Sequence, residues 1–260
     1  MTMGEAARKA EVDRILEEYG RRARSGSAGL YMPTEPAVLF MIHERVRVLL
    51  RLLRAEGLLP LVGAKLLEVG CGTGSWLADF EAWGVERGNI AAIELDPERG
   101  AEAQARFPAL RDERGRVLSP GADIRIGDAS SLPWEAASFD VVFQSTVFTS
   151  ILNEGMRKAV AEEMMRVAKP GGVILWYDFF RDNPWNPAVR GVGGPEIRSL
   201  FPGRSVRLSR VTLAPPIARR LVPLSWTVAH LLEKARLLNT HYLGIIRLPG
   251  CRAPSNGGDS

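Results

Sequence analysis

Three glycines at alternate positions, Gly70, Gly72 and Gly74, follow an apolar run that carries one acid, Glu68, in the stretch LLEVGCGTGSW (66–76). Glycine interrupts regular structure at an entropic cost, and a chain accepts that cost where a ligand must come close to the backbone. Ser75 then opens a helical pattern. A helix start offers free N–H groups and the positive end of the helix dipole. A turn that holds a pyrophosphate spaces its glycines as G-x-G-x-x-G. Here the spacing is G-x-G-x-G, with a carboxylate two residues before the first glycine. That carboxylate is a poor neighbour for a phosphate and suits a ligand with positive charge.

The turn needs a strand before it and a helix after it, and the surrounding pattern supplies both. KLLEV reads as a strand and SWLADFEAWG as a helix stopped by Gly84. NIAAIEL, ADIRIGD, FDVVFQS and VILWYDF read as further strands. PERGAEAQARF is a helix opened by Pro97, and 152–168 is a long helix closed by Lys169-Pro170-Gly171-Gly172. Strands alternating with helices imply a parallel sheet covered on both faces. In such sheets ligands bind at the carboxyl ends of the strands, where the strand order reverses. Two helices precede the first strand: 5–24, and 37–56 with an apolar stripe of Leu39, Ile42, Val46, Leu49, Leu50 and Leu53. Near the end, SVRLSRVTLA and HYLGIIRL read as strands around an apolar, basic, helical insertion, 214–240.

LLEVGCGTG resembles the E/D-x-G-x-G-x-G signature of class I S-adenosylmethionine-dependent methyltransferases. It is most similar to the small-molecule group that contains the ubiquinone/menaquinone-type enzymes (methyltransferase type 11). Their cofactor carries a sulfonium and an amino group and no phosphate, which agrees with the charge argument. The later motifs appear in order: IAAIELD, IGDASSLPW, SFDVVFQSTVF and RVAKPGG. The resemblance spans about 64–180 and implies roles for residues at the matching positions. S-adenosyl-L-methionine would be held by Glu68, Gly70, Gly72, Gly74, Glu94, Leu95, Asp128, Ala129 and Gln144. Glu94 would take the two ribose hydroxyls, as a carboxylate can. Asp128 would take the adenine amino group, the Ala129 N–H a ring nitrogen, and Gln144 would lie near the methionine end. Asp96 competes with Glu94, and Asp140 and the Pro170-Gly171-Gly172 turn read as structural.

The implied fold is α/β: a Rossmann-like, seven-stranded, mostly parallel sheet with helices on both faces and an antiparallel last strand. The N-terminal helices and the insertion between the last two strands would form a cap. The expected divisions are a helical segment 1–60, a methyltransferase domain 61–250 containing the insertion 214–240, and a flexible tail 251–260. In-line displacement at an activated methyl carbon needs alignment of the acceptor and exclusion of water. A hydroxyl acceptor also benefits from a base. Asp178, at the end of the fifth strand, and His43 are the candidate catalytic groups; His230 and His241 are weaker ones. Tyr31 could close over the cofactor. Phe143, Phe148, Trp176, Tyr177, Phe179, Phe180 and Trp185 are expected to line an acceptor pocket.

The chain has 260 residues, 46% hydrophobic and 25% charged, with a net charge of +4. That excess is small for nucleic-acid binding, which needs a concentrated basic face. The N/D-P-P-Y/F/W motif of amino-directed nucleic-acid methyltransferases is missing after the fourth strand, where the chain reads FQSTVF. DNPW (182–185) follows the fifth strand and has one proline. Cys71 and Cys251 suggest neither a disulfide framework nor a metal site. The first twenty residues are polar, so a cytoplasmic enzyme is the expectation. The reading is methyl transfer to a small molecule, with a hydroxyl of a sugar or secondary metabolite foremost. Carbon or nitrogen methylation, a lipid-linked acceptor and a silent cofactor-binding partner subunit remain as alternatives. The basic insertion is either a packed cap or a lid over an anionic or lipid-linked acceptor, and the sequence leaves the oligomeric state open.

Overall fold

The computed structural model describes residues 4–24, 32–183 and 186–250. Tyr31, Trp185, Cys251 and the tail 251–260 lie outside the described residues. Helices α1 (Glu5–Arg24) and α2 (Pro36–Ala55) come first, followed by β1 (Leu66–Val69), α3 (Ser75–Ala82), β2 (Ile90–Glu94) and α4 (Pro97–Arg106). A small hairpin, β3 (Leu110–Arg111) and β4 (Val117–Ser119), interrupts the alternation before β5 (Asp123–Ile126) and β6 (Phe139–Ser145). Then come α5 (Glu154–Val167), β7 (Ala168–Phe179), α6 (Gly194–Leu200) and β8 (Ser205–Leu213). The insertion forms α7 (Pro215–Leu221) and α8 (Trp226–Ala235), and β9 (Asn239–Arg247) closes the described chain.

Seven strands make one sheet in the order β5-β2-β1-β6-β7-β9-β8. β5, β2, β1, β6 and β7 are parallel, and β9 is antiparallel to both β7 and β8. β1 and β2 are buried along their whole length, as both faces are covered by helices. On one face Leu67, Val142, Ile174 and Trp176 meet α5 (Val160, Met164), α6 (Ile197) and α1 (Ile15). On the other, Leu66, Phe143, Leu175 and Tyr177 meet α2 (Leu49, Leu53) and α3 (Leu77, Phe80). Fully burying one such side chain stabilises the fold by about 1.5–3 kcal/mol.

A third, smaller core joins α2 to the insertion through Ala37, Phe40, Leu213, Ala218, Val222 and Ala229. It shifts the face that α2 presents. Phe40 is buried and packs edge-on against Trp226, with ring centroids 5.2 Å apart. Leu39, counted in the sequence stripe, is exposed instead. The helix turns to serve the insertion as well as the sheet. The strand order reverses beside β1, whose neighbours are β2 and β6, and that reversal opens the crevice where the glycine turn sits.

Candidate active site

β1 ends at Val69, and the chain turns at once. Gly70, Gly72 and Gly74 have φ of +71°, +56° and +82°, a region L residues enter at a cost of roughly 1–2 kcal/mol. The Gly70 and Cys71 N–H groups both donate to Ile93 O, at 2.8 and 3.2 Å. A Cβ on Gly70 would stand 2.4 Å from Val147 Cγ2. The turn therefore needs glycine for its backbone and for its clearance. Gly74 is the residue before the first turn of α3.

Glu94, at the end of β2, reaches back to this turn. Its Oε2 accepts from Gly72 N at 2.6 Å and its Oε1 from Asp96 N at 3.0 Å. Asp96 is the N-cap of α4, accepting from Glu98 N and Arg99 N, which takes it out of competition with Glu94. Asp128 accepts from Ser130 N at 2.8 Å and Ser130 Oγ at 2.7 Å, and Arg8 Nε of α1 lies 3.5 Å away.

These groups border a cavity of about 230 Å³ at the carboxyl ends of the strands. Gly70, Glu94, Leu95, Asp128 and Ala129, all singled out by sequence, line it. Glu68, Gly72, Gly74 and Gln144 are buried and do not line it. Glu68 is buried beneath the turn, with Oε2 lacking any partner. Burial drives its carboxyl well above the usual range; the charges of Glu94 and Asp79 add to this and Arg45 opposes it. Gln144 is fully buried; its Oε1 accepts from Val147 N at 3.2 Å and its Nε2 has no partner. Cys71 sits in the same shell, its thiol held up by burial and by Glu68 and Glu94.

Other lining residues come from the segment after β6 and from α1. Thr146 has φ of +59°, an uncommon value for a residue with a side chain. Its N–H donates to Tyr177 O at 2.8 Å, which fixes the turn after β6. α1 closes the cavity with Ile15, Tyr19 and Arg22. It is pinned there by Glu11, which accepts from Leu152 N and Asn153 N, and by Arg14, which donates to Ser150 O at 2.6 Å. Arg99 of α4 lies 5.2 Å from the Tyr19 ring centroid. The N-terminal helices are expected as part of a cap, and α1 lies over the cavity; its amphipathic pattern does not tell which of its residues meet the cavity.

The two candidate catalytic residues fare differently. Asp178 is fully buried and does not line the cavity. Thr149 does, and its Oγ1 donates to Asp178 Oδ1 at 2.5 Å while its N–H donates to Oδ2 at 3.2 Å. Burial raises the Asp178 carboxyl from 3.8 to about 7, against the pull of these hydrogen bonds. His43 is exposed on α2, 6.3 Å from the Trp226 ring, and is not among the lining residues. His230 pairs with Glu44 at 2.7 Å. His241 stacks on Tyr177 at 5.0 Å, and burial lowers it to about 3, so it is neutral at physiological pH. The expected ring-lined pocket is corrected. Phe143, Phe148, Trp176 and Tyr177 are core residues, Phe180 stacks on Tyr242, and Phe179 alone of those described reaches the cavity.

The raised Asp178 carboxyl has a consequence for stability. Between roughly pH 4 and pH 7 the folded chain keeps a proton that the unfolded chain has released, so stability falls as pH rises, by about 1.4 kcal/mol for each step of one in pH. Asp178→Asn removes this dependence. Its melting midpoint relative to the native chain is expected to rise from about pH 5 to about pH 8. A difference that stays constant across the range contradicts the assignment.

Comparison with known proteins agrees with this geometry. Residues 67–176 match the family model of the methyltransferase domain. A demethylmenaquinone methyltransferase of Lactococcus lactis is 30% identical over 115 residues, 44% of this chain and 42% of that protein. One from Shouchella clausii is 32% identical over 114 residues, 44% of each. The chain thus spans less than half the length of the curated relatives it matches. Among solved structures, an S-adenosylmethionine-dependent methyltransferase of Thermotoga maritima, described as a possible histamine N-methyltransferase, has a TM-score of 0.55 at 14% identity, over 90% of this chain and 98% of that one. The [4+2]-cyclase SpnF has a TM-score of 0.53 at 23% identity, over 77% and 81%. At these identities the likeness is one of fold. The fold is the one seen in these S-adenosylmethionine-dependent methyltransferases, and the segment 67–176 is similar to the methyltransferase domain of the matching family model.

Proposed function

We propose that this chain, through its class I methyltransferase domain, binds S-adenosyl-L-methionine in the β1–β6 crevice and transfers the methyl group to a small-molecule acceptor. One observation carries the reading: two carboxylates, Glu68 and Glu94, are buried together under a glycine cradle, and Glu68 Oε2 has no partner. Burial, with the Glu94 charge beside it, makes ionisation of Glu68 costly. A cationic ligand relieves that cost, whereas a phosphate-bearing one increases it. The missing Cβ at Gly70 and the orphaned Gln144 Nε2 fit the same ligand. When bound, the cofactor supplies an activated methyl group. Glu94 would hold the ribose and Asp128 the adenine, each giving up part of the contacts described above.

The acceptor reading rests on the Thr149–Asp178 pair. A hydroxyl acceptor must lose a proton as its oxygen attacks. Thr149 borders the cavity, and its Oγ1 donates to Asp178, whose carboxyl titrates near neutrality. The pair offers a proton route that an acceptor with no proton to lose would not need, and it favours O-methylation of a sugar or secondary metabolite. Asp178 acts in this reading through Thr149 rather than by direct contact.

Incubating the full chain with tritium-labelled S-adenosylmethionine and fractionated cell extract tests the proposal. Label is expected in a low-molecular-mass fraction, stable to conditions that cleave methyl esters. Label confined to nucleic acid or protein, or none at all, contradicts it.

A further inference from the structure

The α7–α8 insertion has an outer surface that a helix pair packed on a core does not need. Six of the large hydrophobic residues exposed in the described chain fall within 224–238. Leu224, in the turn before α8, is 83% exposed, and Leu237, in the turn after it, is 74% exposed. Between them Val228 and Leu231 occupy the outer face of α8, while Ala229 and Glu233 occupy the inner one. An apolar groove formed by Pro216, Ile217, Leu221 and Leu224 runs into this surface.

The exposed charges of the insertion beside the patch have one sign; Glu44 of α2, which meets His230 of α8, is buried. Arg220, Lys234 and Arg236 are exposed at its margins. The single acid of the segment, Glu233, is buried and spent on Thr212 N at 2.7 Å and on Leu213 N. Protruding leucines on a segment whose exposed charges are basic match the boundary between anionic headgroups and acyl chains. A second copy docked by a twofold axis would set the same basic residues against one another with no exposed acid of the insertion between them.

Position adds to the argument. β9 is antiparallel to both β7 and β8, so β8 ends at the same edge as β7. Phe179 pairs with His241 and Leu213 with Asn239, which roots the insertion at the edge that carries the cavity. Among the described residues no helix is long and apolar enough to cross a membrane; the contact proposed below is with the surface.

We propose that the α7–α8 hairpin docks the chain on an anionic phospholipid surface. The exposed leucines enter the interface, Arg220, Lys234 and Arg236 meet lipid phosphates, and the cavity edge turns toward the membrane. This goes beyond the methyl-transfer reading and does not depend on it.

Flotation of the full chain with vesicles is the test. Partition is expected with an equimolar phosphatidylcholine–phosphatidylglycerol mixture, at least about tenfold weaker with phosphatidylcholine alone, since each basic residue near an anionic surface adds to binding. Raised salt should release the protein. Leu224→Glu with Leu231→Glu, and separately Arg220→Glu with Lys234→Glu and Arg236→Glu, should each abolish flotation. Their melting temperatures and their calorimetric titrations with S-adenosylmethionine should match the native chain, which separates this proposal from the cofactor assignment. No flotation with either vesicle, or equal flotation of native and variant proteins, overturns the proposal. So does a dimer seen by light scattering that the leucine variant abolishes, which would assign the patch to a second copy.

Discussion

Glu94→Ala is expected to bind S-adenosylmethionine more than about tenfold more weakly than the native chain and to melt at a lower temperature. The carboxylate does two things. In the structure it accepts from Gly72 N at 2.6 Å and from Asp96 N at 3.0 Å, tying the glycine turn to the start of α4. In the proposed complex it also meets the ribose. Hydrogen bonds to a charged group contribute about 1.5–3 kcal/mol each, and about 1.4 kcal/mol is a factor of ten in affinity. Truncation leaves the Gly72 and Asp96 N–H groups without their acceptor, hence the lower melting point, by about 2–4 °C for each kcal/mol in a chain of this size. Glu94→Gln keeps one carbonyl oxygen and loses the charge. It should fall between the native chain and Glu94→Ala in calorimetry. Unchanged affinity in both variants would remove Glu94 from the site.

Gly70→Ala is expected to abolish measurable cofactor binding. The added methyl meets two obstacles. The backbone at φ +71° disfavours any L side chain by roughly 1–2 kcal/mol. The new Cβ would also lie 2.4 Å from Val147 Cγ2. Val147 cannot easily withdraw, because its N–H is held by Gln144 and the next residue, Phe148, is fully buried. The turn must then move into the cavity. Pairing Gly70→Ala with Val147→Ala removes the collision and should restore part of the affinity. Gly115→Ala, at φ +79° but with open space around it, should leave binding as it is. If Gly70→Ala binds normally, the turn is not the cradle described here.

The parts of this protein that were legible in sequence share one property: their residue types are dictated by local physics. β1 and β2 are buried on both faces, so they appear as unbroken apolar runs. The glycine turn stands out since its φ values admit little else. Glu94, Leu95, Asp128 and Ala129 followed from a motif order tied to strand ends, and all four line the cavity. Elements with weak apolar signal did not show. The β3–β4 hairpin is almost wholly exposed. α6 buries only Gly194, Ile197 and Leu200 over seven residues, too few to mark a period. Residue type also predicts burial better than address. Phe143, Phe148 and Trp176 were expected at a pocket because they are aromatic and near strand ends, yet the sheet core claims them. Thr149, which carries the contact to Asp178, looks like any threonine after a strand. Only the spatial pairing, at a separation of 29 residues, gives it a role.

The central claim is that the crevice beside Glu68, Glu94 and Asp128 is made for a cationic adenosyl ligand. Isothermal titration of the full chain with S-adenosylmethionine, with NADH as the phosphate-bearing comparison, tests it most directly. Saturable binding of S-adenosylmethionine at one site per chain is expected, with no heat of binding from the dinucleotide. Binding of the dinucleotide, or of neither compound, would contradict it.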